Sequence, residues 1–176
     1  VKNCKIKDFY DGILIKDASD KAIVYNNKLF DNNKSGIRTQ NVNNTKIFNN
    51  TIYDSFSFGP YLQENGIILE GSSYSTIENN TMGGNKYGFV LFSGAQYNII
   101  KNNTMNNSDN DGIRFSGNNN NYNNFTQNIL KNNDFYGMII PNGLTTQYNN
   151  IWNNTFTNNG VNNAFEGNLS TNNKWN

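Results

Sequence analysis

An asparagine pair set in a fixed apolar frame recurs along this chain and limits its fold more than any other feature. The frame is apolar-x-Asn-Asn-Thr-apolar. It spans Ile47 to Ile52, Ile77 to Met82, Ile100 to Met105 and Ile151 to Phe156. Looser copies run from Val24 to Leu29 and from Phe125 to Leu130, and Val1 to Ile6 fits with Cys4 in the second Asn place. Ser170 to Trp175 fits without the first apolar residue. The second member of the pair falls at Cys4, Asn27, Asn50, Asn80, Asn103, Asn128, Asn154 and Asn173. The steps are nearly even, the longest running from Asn50 to Asn80 and the shortest from Asn154 to Asn173. A single structural unit that recurs at this period signals a solenoid.

A second element sets the type of solenoid. Gly12, Gly36, Gly66, Gly88, Gly112 and Gly137 each open a short apolar run after an Asn-rich turn, and Ala164-Phe165-Glu166 reads as a terminal variant. β-Branched and aromatic runs bounded by Gly and Asn signal strands. Apolar spacing of the helical kind is missing. Asn makes up 42 of 176 residues, and it is a poor helix former that accepts turns and left-handed backbone. Leucine-rich repeats share the period but need several spaced leucines per unit. The expectation is therefore an all-β parallel β-helix of about seven to eight coils, three strands to a coil. It forms a single domain over residues 1–176, a rod on the order of 34 Å long at one strand spacing per coil. The side chains of Asn27, Asn50, Asn80, Asn103, Asn128, Asn154 and Asn173 are expected to stack at one bend and bond to one another, because each unpaired buried polar group costs roughly 1–3 kcal/mol.

On these two elements the chain resembles, over nearly its whole length, the right-handed parallel β-helix repeats of the CASH family, named for carbohydrate-binding proteins and sugar hydrolases. That family includes a periplasmic maturation factor for a copper enzyme and many adhesin-like surface proteins of archaea and bacteria. The resemblance implies the right-handed coil. It says little about function, because the matching residues are scaffold. Histidine is absent, which argues against copper handling, and Met82, Met105 and Met138 fall at core positions of the repeat.

Composition narrows the partners. A net charge of +1 gives no electrostatic case for nucleic acid. No apolar run reaches the length of a membrane span. The single cysteine, Cys4, excludes an internal disulfide. The chain opens on Val and starts and stops within a repeat, so it is expected to be a fragment of a longer polypeptide. Nine Asn-x-Ser/Thr sequons occur. Asn33, Asn43, Asn106 and Asn168 lie outside the pair and are the candidate glycosylation sites. Asn49, Asn79, Asn102 and Asn153 overlap the pair and are set aside, since an amide buried in a stack cannot carry a glycan. The sequons and the polar surface point to an extracellular or cell-surface location.

The chemistry of the outward columns is sparse. Counted from the repeat glycine, one column reads Leu14, Arg38, Ile68, Val90, Arg114, Ile139, and the next reads Lys16, Gln40, Glu70, Phe92, Ser116, Pro141. Neither holds the two neighbouring carboxylates that glycoside hydrolysis needs about 5–10 Å apart. Two arginines three coils apart are too distant to clamp one sugar. Asp109-Asn110-Asp111-Gly112 lacks the further ligands of a calcium loop, so no metal or cofactor is expected and no catalytic residue is assigned. Glu78 and Lys101 should pair across coils, as should Tyr25 and Phe48. The best binding candidate is the insertion in the longest step, between Asn50 and Asn80, with Tyr53, Phe56, Phe58, Tyr61 and Glu64. The apolar column Leu14, Ile68, Val90, Ile139 should be exposed and call for a cover. The function expected is structural and adhesive, within a surface layer, sheath or filament. Its partners would be other copies or other surface proteins, with polysaccharide as a further contact. The alternative is a carbohydrate-active enzyme of the lyase, epimerase or hydrolase type.

Overall fold

The computed structural model describes residues 1–17, 19–55 and 63–176. Among these residues there is no helix, and the strands form three parallel sheets of seven strands each. Each sheet takes every third strand, as one chain winding through successive coils requires. The coil around Gly66 is typical. Asn65–Glu70 lies in a long sheet, Thr76–Glu78 in a second sheet and Thr81–Gly83 in a third. The next coil repeats this with Tyr87–Phe92, Ile99–Lys101 and Thr104–Asn106.

The core takes one residue from each short strand and two from each long one, as with Ile67 and Leu69, and runs the length of the rod. Ile52, Met82 and Met105 stack in register in the third sheet, and Ile47, Ile77 and Ile100 in the second. All six are fully buried. Each repeat glycine sits where the backbones of successive coils nearly touch. A Cβ on Gly66 would lie 2.4 Å from the Gly88 carbonyl oxygen, and one on Gly88 would lie 2.6 Å from that of Gly112. No larger residue fits, so the glycine recurs.

The asparagine pair divides its work between its two members. The first takes the left-handed conformation, with φ of 55° at Asn49, 56° at Asn79 and 53° at Asn102, a region that Asn enters more readily than other residues bearing a Cβ. It points to solvent. The second turns inward and is buried. Asn80 Nδ2 donates to Asn103 Oδ1 (3.0 Å) and to the carbonyls of Ile47 and Glu78, while the Asn80 backbone N–H also donates to Asn103 Oδ1 (2.9 Å). The same pattern runs without a break through Asn27, Asn50, Asn80, Asn103, Asn128 and Asn154, with the backbone N–H of Cys4 donating to Asn27 at the start.

Asn173 does not join this ladder. The strand Lys174–Trp175 pairs with Asn150–Trp152 in the second sheet, so its asparagines precede that sheet rather than follow it. Asn173 caps a different ladder at the preceding corner, Asn98–Asn123–Asn149–Asn173. It follows Asn149 by one ordinary coil; the short step from Asn154 runs between two different corners. A third ladder lies at the corner entering the long sheet. There Gln63, at the end of the insertion, accepts from Asn32 Nδ2 and donates to Asn85 Oδ1. The insertion therefore rejoins the coil at a regular ladder position. Phe56, Phe58 and Tyr61 lie outside the described residues.

Candidate functional site

Register fixes what the outer face of the long sheet presents. The column Leu14, Arg38, Ile68, Val90, Arg114, Ile139 is in line as expected. Its exposure is not as expected. Leu14 is 44% exposed, but Ile68, Val90 and Ile139 are only 9%, 3% and 8% exposed. Long polar and aromatic side chains on both sides cover these short aliphatic ones, so the column is not an open apolar stripe.

Beside it runs a column missed in the sequence, formed by the residue before each glycine: Asp11, Ser35, Asn65, Tyr87 and Asp111. Between the two, over four strands, lies a groove of about 450 Å³. Ile68 and Val90 lie at its centre with Arg38 and Arg114 on either side along the axis, and Glu70, Phe92, Asn65 and Tyr87 border it across. Arg38 donates through Nη2 (2.6 Å) and Nε (3.1 Å) to Glu70, and Asp11 lies 3.7 Å from Nη1. These carboxylates hold the guanidinium's pKa above its ordinary value, the hydrogen bond to Glu70 contributing most. Arg114 donates to Asp111 at 2.8 Å and lies over the Tyr87 ring at 5.2 Å. Burial raises the pKa of the Asp111 carboxyl, while Arg114 and the Tyr136 N–H act in the opposite direction. Asn110 Nδ2 donates to the Tyr87 hydroxyl at 3.2 Å. Lys34 and Glu64 form an ion pair on the rim.

This arrangement suits recognition better than hydrolysis. Each carboxylate lining the groove is paired with a cation: Glu64 with Lys34, Glu70 with Arg38, and nearby Asp111 with Arg114. An acid–base pair for glycoside cleavage needs one carboxyl held protonated and one free to act. Arginines fixed by carboxylates keep several N–H donors over. With the Tyr87 and Phe92 rings beside them, the two guanidiniums, three coils apart, offer separate donor points along the groove, over a floor that Ile68 and Val90 expose only slightly.

The described ends of the insertion lie on different faces. Tyr53 stacks on Phe30 on the outer face of the third sheet (5.3 Å between centroids), whereas Glu64 stands at the groove on the long sheet. The expected pairs on the second sheet are present, Glu78 with Lys101 at 2.9 Å and Tyr25 stacked on Phe48 at 5.0 Å.

A second feature, unrecognised in the sequence, is an exposed tyrosine ladder. Tyr74, Tyr97, Tyr122 and Tyr148 stack at 5.0, 4.9 and 5.0 Å with nearly parallel rings. All four have φ of 56° to 58°, which is unusual for bulky side chains. The signal was readable: each of these tyrosines stands the same distance ahead of its ladder asparagine, Asn80, Asn103, Asn128 or Asn154. Because each inner ring is sandwiched between neighbours, the ladder offers ring edges and hydroxyls rather than open faces to a ligand.

The sequence profile described as right handed beta helix region matches residues 1–159. A search of curated proteins finds no match. Among solved structures, the chain is similar to crystal structures of the periplasmic alginate epimerase AlgG. A double mutant superposes with a TM-score of 0.81 at 21% identity, covering 92% of this chain and 36% of that one. The unmutated enzyme gives 0.70 at 22%, covering 83% and 34%. A further single mutant gives 0.74 at 17%, covering 95% and 48%. The chain thus spans between a third and a half of that enzyme's length, and the likeness is one of fold.

Proposed function

The chain belongs to the right-handed β-helix family, and from that premise we propose that it is a secreted, glycan-contacting structural protein whose groove on the long sheet holds the sugar. The observation that carries this reading is the Ile68–Val90 floor set between two guanidiniums, each fixed by a carboxylate. An exported location is supported by the periplasmic β-helix that the fold resembles and by the polar, Asn-rich surface. The role is adhesive or scaffolding within an envelope or matrix. The test is calorimetric titration with neutral and uronate oligosaccharides. Binding should appear and weaken about tenfold, or ~1.4 kcal/mol, in Arg38→Ala, a variant that takes the ion-pair partner from the part-exposed Glu70 and leaves it the Gln40 amide. Failure of every glycan class to bind would overturn the proposal.

One observation favours an enzyme as the second reading. Tyr87 lines the groove with its ring under the Arg114 guanidinium, and the similar fold belongs to an epimerase. An arginine that pairs with a uronate carboxylate acidifies the proton on the adjacent carbon, and a phenol could move that proton. Incubation with alginate, followed by proton NMR of the sugar stereochemistry, tests this reading. Turnover abolished in Tyr87→Phe would establish it; an unchanged polymer would leave binding alone.

A further inference from the structure

We propose that the corner between the second and third sheets is a row of N-glycan acceptors, at Asn49, Asn79, Asn102 and Asn153. In sequence these sequons look buried, because the two members of the pair are indistinguishable there. The ladder uses the second Asn of each pair. The sequon Asn is the first, left-handed and exposed, and among the described residues its side-chain amide makes no hydrogen bond. The hydroxyl residue two places on is also at the surface. Thr51, Thr81 and Thr155 are exposed and Thr104 half-buried.

The other five sequons differ in this respect. Their hydroxyl residues Ser35, Thr45, Ser108, Thr126 and Ser170 are buried, between 0% and 9% exposed. Only the row presents both halves of the acceptor on the folded surface. Transfer would come from a lipid-pyrophosphate-linked oligosaccharide. Asn Nδ2 bonds to the anomeric carbon and loses a proton as the bond from that carbon to pyrophosphate oxygen breaks, releasing the lipid pyrophosphate.

Two consequences follow from the geometry. This corner is the one edge of the coil that does not border the long sheet, so sugars there leave the groove open. Successive acceptors lie about one strand spacing apart, roughly 4.8 Å, and a pyranose ring is wider than that. Asn49, Asn79 and Asn102 occupy consecutive coils, so glycans on neighbours exclude one another. Asn102 and Asn153 are separated by the coil of Gln127, which takes the same conformation (φ 57°) without a sequon. One molecule can therefore carry three row glycans at most, at Asn49, Asn102 and Asn153.

The full chain should be secreted from a eukaryotic host with N-glycosylation machinery, and glycosites mapped by mass spectrometry on the folded fraction. Row occupancy is expected, with intact masses showing no molecule that carries glycans on both Asn49 and Asn79, or on both Asn79 and Asn102. A variant with all four residues changed to Gln should keep its circular dichroism, as Gln127 shows the position accepts Gln, and should lose the row's mass increment. Four bare row sites in the folded fraction, whatever the other sequons carry, would overturn the proposal. Glycans on adjacent coils of one molecule would overturn the exclusion.

Discussion

A single residue here answers to its two neighbours along the rod axis more than to its neighbours in sequence. Asn103 shows this. Its Oδ1 accepts from the N–H and Nδ2 of Asn80, and its Nδ2 donates to Asn128 Oδ1 and to the carbonyls of Ile77 and Lys101. Asn103→Ala should therefore lower stability by ~1–3 kcal/mol for each buried group left unpaired, read from denaturant unfolding, with the native sheet signal retained. Tyr97 tests a different balance. Left-handed backbone costs a residue with a Cβ about 1–2 kcal/mol, and each ring stack contributes about 0.5–1.5 kcal/mol. Asn44 and Asn172 occupy the equivalent corner at φ 58°. Tyr97→Val keeps the strain and gives up both stacks, so it should lose about 1–3 kcal/mol, while Tyr97→Asn, which tolerates the left-handed backbone better, should lose less. Asp109 has a carboxyl pKa raised by burial first, then by Asp134 and Asp54. The folded chain holds that proton to higher pH than the unfolded chain, so stability falls as pH rises above the ordinary carboxylate value of about 3.9. Asp109→Asn should raise the melting temperature at neutral pH, and the gain should vanish as the buffer is taken below about pH 4.

At the scale of the strand and its turns, the sequence was informative wherever a residue type is forced. The glycine at the second position of the long strands from Gly12 to Gly137 has no room for a Cβ, and the inward Asn both donates and accepts along the axis, a task that Gln63 alone shares in the third ladder among the described residues. Both recur, and both were read in the correct phase from the first coil to Asn154. The reading failed where two corners use the same chemistry. Asn172-Asn173 looks like the usual pair, yet it turns the chain one corner earlier, and only the short interval and the missing first apolar residue betray it. It failed again where the relevant property is exposure. Ile68 and Val90 face outward by alternation, but whether they meet water depends on Arg38, Tyr87, Phe92 and Arg114, which come from other strands or other positions of the coil. The groove was hidden for the same reason. Its two arginines lie three coils apart in the chain, and Tyr87 and Asp111 precede the repeat glycine, outside the apolar run by which the strand is recognised. The described ends of the insertion, Tyr53 and Glu64, serve two different faces.

For the whole molecule, stability and function should separate, because a solenoid is bound coil to coil. Removing Thr81 to Asn103, one whole coil, tests this directly. The new junction reads Asn79-Asn80-Thr104-Met105, which reproduces the frame it interrupts. Asn80 would then donate to Asn128, Ile77 would stack on Phe125, and Gly66 would meet Gly112, all contacts of kinds already present between neighbours. The shortened chain should therefore fold, with the same β-type circular dichroism and a modest fall in melting temperature. The deleted coil also carries Tyr87, Val90 and Phe92, three of the residues around the groove. Ile68 would come to lie directly beside Arg114, and the floor between the arginines would be halved. Glycan binding should be lost although the rod persists. A deletion of half a coil, Thr81 to Phe92, should abolish folding, because it would place a second-sheet strand against a long one and break all three ladders at once. If the whole-coil deletion unfolds the chain as thoroughly as the half-coil deletion, coil-to-coil independence fails. If it folds and still binds sugar with full affinity, the groove on the long sheet is not the binding site.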